Sequence, residues 1–171
     1  MEQGLVHIYC GDGKGKTTAA IGLAVRAKGA GLRVCFVQFM KAGSSSELTL
    51  IKKADIQVFS VQNPFGFTWN MTTEQKKALE TINTEAVQKL LIEKDNYDVL
   101  VLDEILSAYQ HQLIDRALVC KLLQEREQTE MVLTGRNPEK ELLEMADYVT
   151  EMKCVKHPYE KGVQARLGIE F

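Results

Sequence analysis

Apolar residues along this chain gather into short runs separated by longer amphipathic stretches. The runs fall at Leu5–Tyr9, Val34–Phe39, Ile56–Val61, Val99–Leu102, Met131–Leu133 and Tyr148–Met152. Several are continuous rather than alternating, as expected of strands covered on both faces. Between them, the periodicity predicts helices over Thr17–Ala30, Thr73–Glu93, His111–Arg126 and Pro138–Met145. Gly29 and Gly31 suit the end of the first helix. Thr72 or Thr73 suits the cap of the second, where Glu74 and Gln75 add acceptors in the first turn. Along that helix Ala78, Leu79, Ile82, Ala86, Leu90 and Leu91 form an apolar stripe that reads as a core face. Pro138 suits a first helical turn behind an Asn137 cap. Strands alternating with helices imply an α/β fold, with a mainly parallel sheet, right-handed crossovers and helices on both faces. No repeat, linker or low-complexity tract interrupts the pattern. The length of 171 residues therefore predicts a single domain over 1–171. Residues 40–48 read as the most flexible loop, placed after a strand, where ligands bind in such sheets.

The first strand runs into Gly11-Asp-Gly-Lys-Gly-Lys-Thr-Thr18. A glycine-rich loop opening a helix is a phosphate cradle. The first N–H groups of the helix lack partners, its dipole adds positive charge, and glycines let the loop wrap toward an anion. Lys16 adds a full charge, and the Thr17 hydroxyl suits a magnesium ion bridging phosphate oxygens. The pattern points to a nucleoside triphosphate as ligand. Lys14 either adds charge to that site or faces water. The loop is also short: Asp12, Gly13 and Lys14 are the three residues between Gly11 and Gly15, one fewer than in the common P-loop. A shorter loop encloses a β-phosphate less fully, so the triphosphate is expected to sit differently from its pose in a kinase or GTPase.

Composition narrows the partners. The net charge is −2, with no basic stripe to suggest nucleic acid. No run of about 18 apolar residues is present to cross a membrane. The chain begins almost directly with its first strand, so no signal peptide is expected. Cys10, Cys35, Cys120 and Cys154 form no C-x-x-C pair and suit free thiols in a reducing cytoplasm. The first three lie in apolar runs, where cysteine serves as packing.

Further candidates lie at other strand ends. Asp98-Val-Leu-Val-Leu-Asp-Glu104 is an apolar strand ending in two carboxylates. Beside a P-loop this resembles a Walker B arrangement, in which Asp103 or Glu104 helps hold magnesium; otherwise the pair caps a turn. Arg136, in Thr134-Gly-Arg136, either contacts phosphate oxygens or pairs with Glu139 or Glu141. The Asn63-Pro-Phe-Gly-Phe-Thr-Trp69 loop concentrates aromatics, as a hydrophobic plug or as a platform for a flat ligand, the plug being the expectation from composition alone. His7, His111 and His157 have no metal-ligand spacing, and no Ser-His-Asp or Cys-His pattern appears.

Several segments together resemble one family: Gly11–Ala20, Val37-Gln-Phe-Met-Lys41, Gly66-Phe-Thr-Trp69, Val101-Leu-Asp-Glu104, Leu133-Thr-Gly-Arg136, Ala146–Met152 and Val155–Phe171. The resemblance, over nearly the whole chain, is to the P-loop type of ATP:corrinoid adenosyltransferase. It implies a P-loop NTPase-like (RecA-like) fold and a reaction in which Co(I) of a reduced corrinoid attacks the 5′-carbon of ATP and releases triphosphate. By the same resemblance, Gly11, Asp12, Gly13, Lys14, Gly15, Lys16, Thr17 and Thr18 hold the triphosphate, in a reversed sense relative to kinases. Thr17 and Glu104 bind Mg2+ (or Mn2+), with Asp103 as a further ligand, and Arg136 contacts the nucleotide. Lys16, Glu104 and Arg136 are thus the implied catalytic residues. Phe67 and Trp69 pack on the lower face of the corrin and exclude the lower axial ligand. A homodimer and an external reductase or flavodoxin-like electron donor are also implied. Residue chemistry agrees, since Co(I) needs no general base, only neutralisation of a leaving triphosphate and tight positioning.

Three departures from the family pattern stand out. Position 12 is Asp where many members have Asn, the Ser44-Ser-Ser46 stretch replaces a glycine-rich one, and the chain starts without the N-terminal extension that covers the site in some members. Closure over a corrinoid is accordingly expected from Ala42–Leu48, the aromatic loop or a partner subunit. A P-loop ATPase or small-molecule kinase with Glu104 as base, and a non-enzymatic ATP-binding switch, are the competing readings. The short loop and the Gly-Phe-Thr-Trp element count against both.

Overall fold

A computed structural model of the chain describes residues 3–41 and 46–169. Its frame is a six-stranded sheet of β1 (Val6–Cys10), β2 (Val34–Gln38), β3 (Gln57–Ser60), β4 (Val99–Asp103), β5 (Glu130–Thr134) and β6 (Tyr148–Glu151), in the order β3-β2-β4-β5-β1-β6. Every pairing is parallel. The sheet is thus wholly, not just mainly, parallel, and the C-terminal ends of all its strands open on one rim. β5 lies between the strand that feeds the glycine loop and the strand that ends in Asp103.

Helices cover both faces. α1 (Lys16–Gly29) and α2 (Ser46–Lys53) pack on one, where Ala20, Ala24, Leu48 and Ile51 meet Phe36, Val99, Val101 and Val132. α3 (Thr73–Glu93), α4 (Ile105–Gln110), α5 (Arg116–Gln124) and α6 (Lys140–Met145) lie against the other, with Val87, Leu90, Tyr109, Leu122 and Leu142 on Ile8, Val37, Leu100, Leu102 and Leu133. Consecutive residues of β4 therefore serve opposite cores, which is why its run is continuously apolar.

The helices differ from the expected pattern in several places. α2 takes in Ser46–Leu48, which composition assigned to the loop 40–48; Leu48 and Ile51 are buried and hold it. Ala42–Ser45 lie outside the described residues, and with them most of the expected Ala42–Leu48 closure. Of the helix expected over His111–Arg126 only α5 (Arg116–Gln124) forms; α4 lies wholly before that range, and Gln112 at φ 55° turns the chain between the two. Asp115 starts α5 by accepting the Leu118 N–H at 3.0 Å. α6 begins at Lys140, after an extended Glu139 whose carboxylate is drawn to Arg116 at 3.3 Å, so Asn137 and Pro138 precede the helix. On α3 the buried line is Leu79, Asn83, Val87 and Leu90, and Ala78 is exposed. Asn83 replaces an apolar residue there because its side-chain amide donates to the Leu113 carbonyl at 2.8 Å. The expected Thr72 cap is present as a complete capping box with Gln75.

Candidate active site

β1 delivers the chain to Gly11 at the open rim, and the loop that follows is fastened from two sides. The Gly11 N–H donates to the Arg136 carbonyl at 3.0 Å, and the Gly13 N–H donates to the Met152 carbonyl at 2.7 Å. Gly13 fits only without a side chain, since a Cβ there would lie 2.7 Å from the Met152 carbonyl oxygen. Gly15 caps α1 at φ 116°, a left-handed turn that glycine takes readily, and offers no side-chain acceptor to the helix. The N–H groups of the first turn are left for an anion, as the sequence motif requires. Lys16 curls back over the loop, its Nζ donating to the Gly11 carbonyl at 2.7 Å and the Gly13 carbonyl at 2.8 Å. Asp12, Lys14 and Thr18 are exposed on the outside of the turn.

The acidic side is equally ordered. Asp103 is wholly buried at the end of β4. Its Oδ1 accepts the Thr17 hydroxyl at 2.8 Å and the Thr134 hydroxyl at 2.7 Å, which ties α1, β4 and β5 through one atom. Its Oδ2 faces the Gln38 amide at 3.4 Å and the Lys41 ammonium at 3.9 Å. Glu104 follows in a left-handed backbone conformation, φ 61°, as the cap of α4. Its N–H donates to the Thr134 hydroxyl oxygen at 2.9 Å, and its carboxylate accepts the Ser107 hydroxyl at 2.6 Å. A left-handed non-glycine residue is uncommon and turns this side chain out of the line of the strand. Arg136 is exposed and reaches toward Asp12 at 4.0 Å. The alternative pairings are not made: Glu139 binds Arg116, and Glu141 accepts from Tyr109.

Thr17, Asp103 and Glu104 together present only oxygen ligands at the mouth of the cradle. Hard oxygen donors, few in number, suit Mg2+, which keeps several waters and takes further ligands from substrate phosphates. No group of three or more His, Cys, Asp or Glu side chains is placed to hold a metal among the described residues.

The aromatic loop leaves the same rim after β3. Asn63 closes its turn, donating to the Gly66 carbonyl at 2.9 Å and accepting the Phe65 N–H at 3.1 Å. Phe65 alone packs inward, against Met71, Leu79 and Leu113. Phe67 and Trp69 stack on each other, centroids 4.5 Å apart and planes 10° from parallel, yet are 65% and 74% exposed. The expected plug is therefore not formed by these two rings, which remain open to water. Their local contacts consume one face of each ring and leave the remainder to water.

Two thiols are buried and two imidazoles are held by local contacts. Burial pushes the Cys35 thiol up to about 12 and raises that of Cys10, so neither is a thiolate near neutrality. His7 bonds Glu130 at 2.6 Å and stacks on Tyr148, and His157 accepts the Tyr159 N–H. Thr134, Gln38, Lys41 and Ser107 complete the site without having been singled out in the sequence as site residues. A polar residue ending an apolar strand was the available signal for Gln38 and Thr134; their approach to Asp103 follows from strand order.

Comparison with known proteins follows the same line. The family described as "ATP:corrinoid adenosyltransferase BtuR/CobO/CobP" matches over residues 2–171. A corrinoid adenosyltransferase of Sinorhizobium sp. is 37% identical over 99% of this chain and 81% of its own length. One from Escherichia coli K12 is 33% identical over 99% of this chain and 87% of its own. The flagellar accessory protein FlaH of Methanocaldococcus jannaschii superposes with a TM-score of 0.53 at 13% identity, covering 88% of this chain and 72% of that one, a likeness of fold alone.

Proposed function

The chain belongs to the BtuR/CobO/CobP family of ATP:corrinoid adenosyltransferases, enzymes of the alkyl-transferase type, and from that premise we propose that it moves the 5′-deoxyadenosyl group of ATP onto Co(I) of a reduced corrinoid. The cobalt lone pair attacks C5′, the C5′–O bond breaks, and inorganic triphosphate leaves with the bonding electrons. The cobalt, oxidised by two electrons, becomes the alkylated centre of the product. No proton moves at the reacting carbon, so the reaction calls for no general base.

The observation that carries this reading is the pairing on one rim of an anion cradle with an exposed aromatic platform. Gly11–Thr18 hold the triphosphate, and Lys16 shifts from the loop carbonyls to the phosphate oxygens. Thr17 and Glu104, with Asp103 behind them, hold Mg2+ (or Mn2+), which supplies charge neutralisation of the leaving triphosphate. Arg136 reaches the nucleotide from the end of β5. Phe67 and Trp69 support the lower face of the corrin and keep an axial ligand away, which favours reduction of the cobalt. An external reductase or flavodoxin-like donor supplies the electron, and the chain works as a homodimer. Four free cysteines accord with a cytoplasmic setting. Among the described residues, no helix is long and apolar enough to cross a membrane.

The test is product identity. Incubation with ATP, Mg2+ and chemically reduced corrinoid is expected to yield one triphosphate per Co(I) consumed. Orthophosphate with ADP would overturn the reading in favour of phosphoryl transfer.

A further inference from the structure

We infer that Lys41 is a second triphosphate-binding lysine, facing Lys16 across the site and taking the end of the anion that the short loop leaves uncovered. The inference rests on the reading above that the cradle holds a triphosphate.

Its position follows from the sheet. β2 ends with Gln38 in register with Asp103, and the next N–H, of Phe39, donates to the Asp103 carbonyl at 2.9 Å. The chain then turns at Met40, which has φ 62°, an uncommon conformation for a residue with a side chain. Met40 is held there by packing against the core under α3 and the small cluster of Met71, Leu79 and Leu113, and by the Asn83 amide at 3.8 Å from its sulfur. This turn directs Lys41 back over the strand ends. Its Nζ lies 3.9 Å from Asp103 Oδ2 and 3.5 Å from Glu47 Oε1, with about a third of the side chain exposed (35%). The opposite oxygen of the same Asp103 carboxylate takes the Thr17 hydroxyl. The ammonium is therefore one carboxylate away from the first turn of α1, where the phosphates are proposed to sit.

Asp103 does not depend on Lys41 for hydrogen bonds, because Thr17, Thr134 and Gln38 all donate to it. The chemistry does call for another cation. A leaving triphosphate carries several negative charges, and a cradle one residue short wraps less of it. A lysine on a flexible stem, kept near the site by Asp103 and Glu47, can move to phosphate oxygens when they arrive.

The test is calorimetric binding of inorganic triphosphate with Mg2+, and separately of adenosine, to the full chain as wild type, Lys41→Met, Lys41→Arg and Lys16→Ala. Lys41→Met is expected to weaken triphosphate binding about tenfold to a hundredfold, the scale of a lost charge-assisted contact, with adenosine affinity and melting temperature unchanged. Lys41→Arg is expected to recover most of the loss. The inference is overturned if Lys41→Met binds triphosphate like wild type while Lys16→Ala does not. It is also overturned if Lys41→Met loses adenosine and melts early, which would make the residue structural. A wild-type chain that binds no triphosphate would overturn the underlying reading itself.

Discussion

The anion cradle and the aromatic platform share one rim of the sheet but are built in opposite ways. Around the cradle, protein groups already occupy the polar atoms: Lys16 rests on two loop carbonyls, Gly13 is bonded to Met152, and Thr17 is fixed to a buried Asp103. On the platform, Phe67 and Trp69 have little but each other, and most of their surface meets water. The first region has its backbone N–H groups fixed in place, so the proposed anion would meet oriented dipoles and only the lysine side chains would have to move. The second is incomplete, because large flat side chains exposed side by side gain by burial only when something flat covers them. A reaction between a multiply charged nucleotide and a large apolar macrocycle calls for both kinds of surface.

The comparison can be broken first at the cradle. Lys16→Ala is expected to lower adenosyl transfer by about a hundredfold or more. Trp69 is the single tryptophan of the chain, so quenching of its fluorescence by added corrinoid should persist in that variant; loss of quenching would mean the two surfaces are not separable. Asp103→Asn keeps the shape of the side chain but removes the charge that orients Thr17, and a loss of about ten- to a hundredfold in activity and Mg2+ dependence is expected from steady-state titrations. On the platform, Trp69→Ala should reduce turnover starting from Co(II) corrinoid by about tenfold and turnover from pre-reduced Co(I) far less. Its stability in urea should change by no more than about 0.5 kcal/mol, since the ring is exposed. Equal losses with both cobalt states would argue against the axial-ligand role. Remote from both surfaces, Thr72→Ala removes the capping box of α3 and should cost about 1 kcal/mol of stability with activity unchanged.

The two regions also differ in how much of them the sequence disclosed. The cradle is local: glycines, a lysine and a threonine within eight positions carry the whole signal. The same is true of the Thr72 cap and of the central strands β2, β4 and β5, whose apolar runs reflect burial on both faces. What surrounds Asp103 is not local. Thr17, Gln38, Lys41 and Thr134 reach it from three other segments, and only the strand order β2-β4-β5-β1 brings them together. α4 escaped notice because six residues, four of them buried, show no helical period. The aromatic loop was ambiguous for a different reason. Phe65 and Phe67 are the same residue type two positions apart, yet one packs inward and the other is exposed, a choice set by the Asn63 turn.

The most direct test is a structure of the chain with ATP, Mg2+ and a corrinoid bound. The account predicts triphosphate oxygens on Gly11–Thr18, the corrin seated on Phe67 and Trp69, and the ribose 5′-carbon facing the cobalt. A nucleotide bound with its γ-phosphorus toward the platform, and its 5′-carbon turned away from the metal, would contradict it.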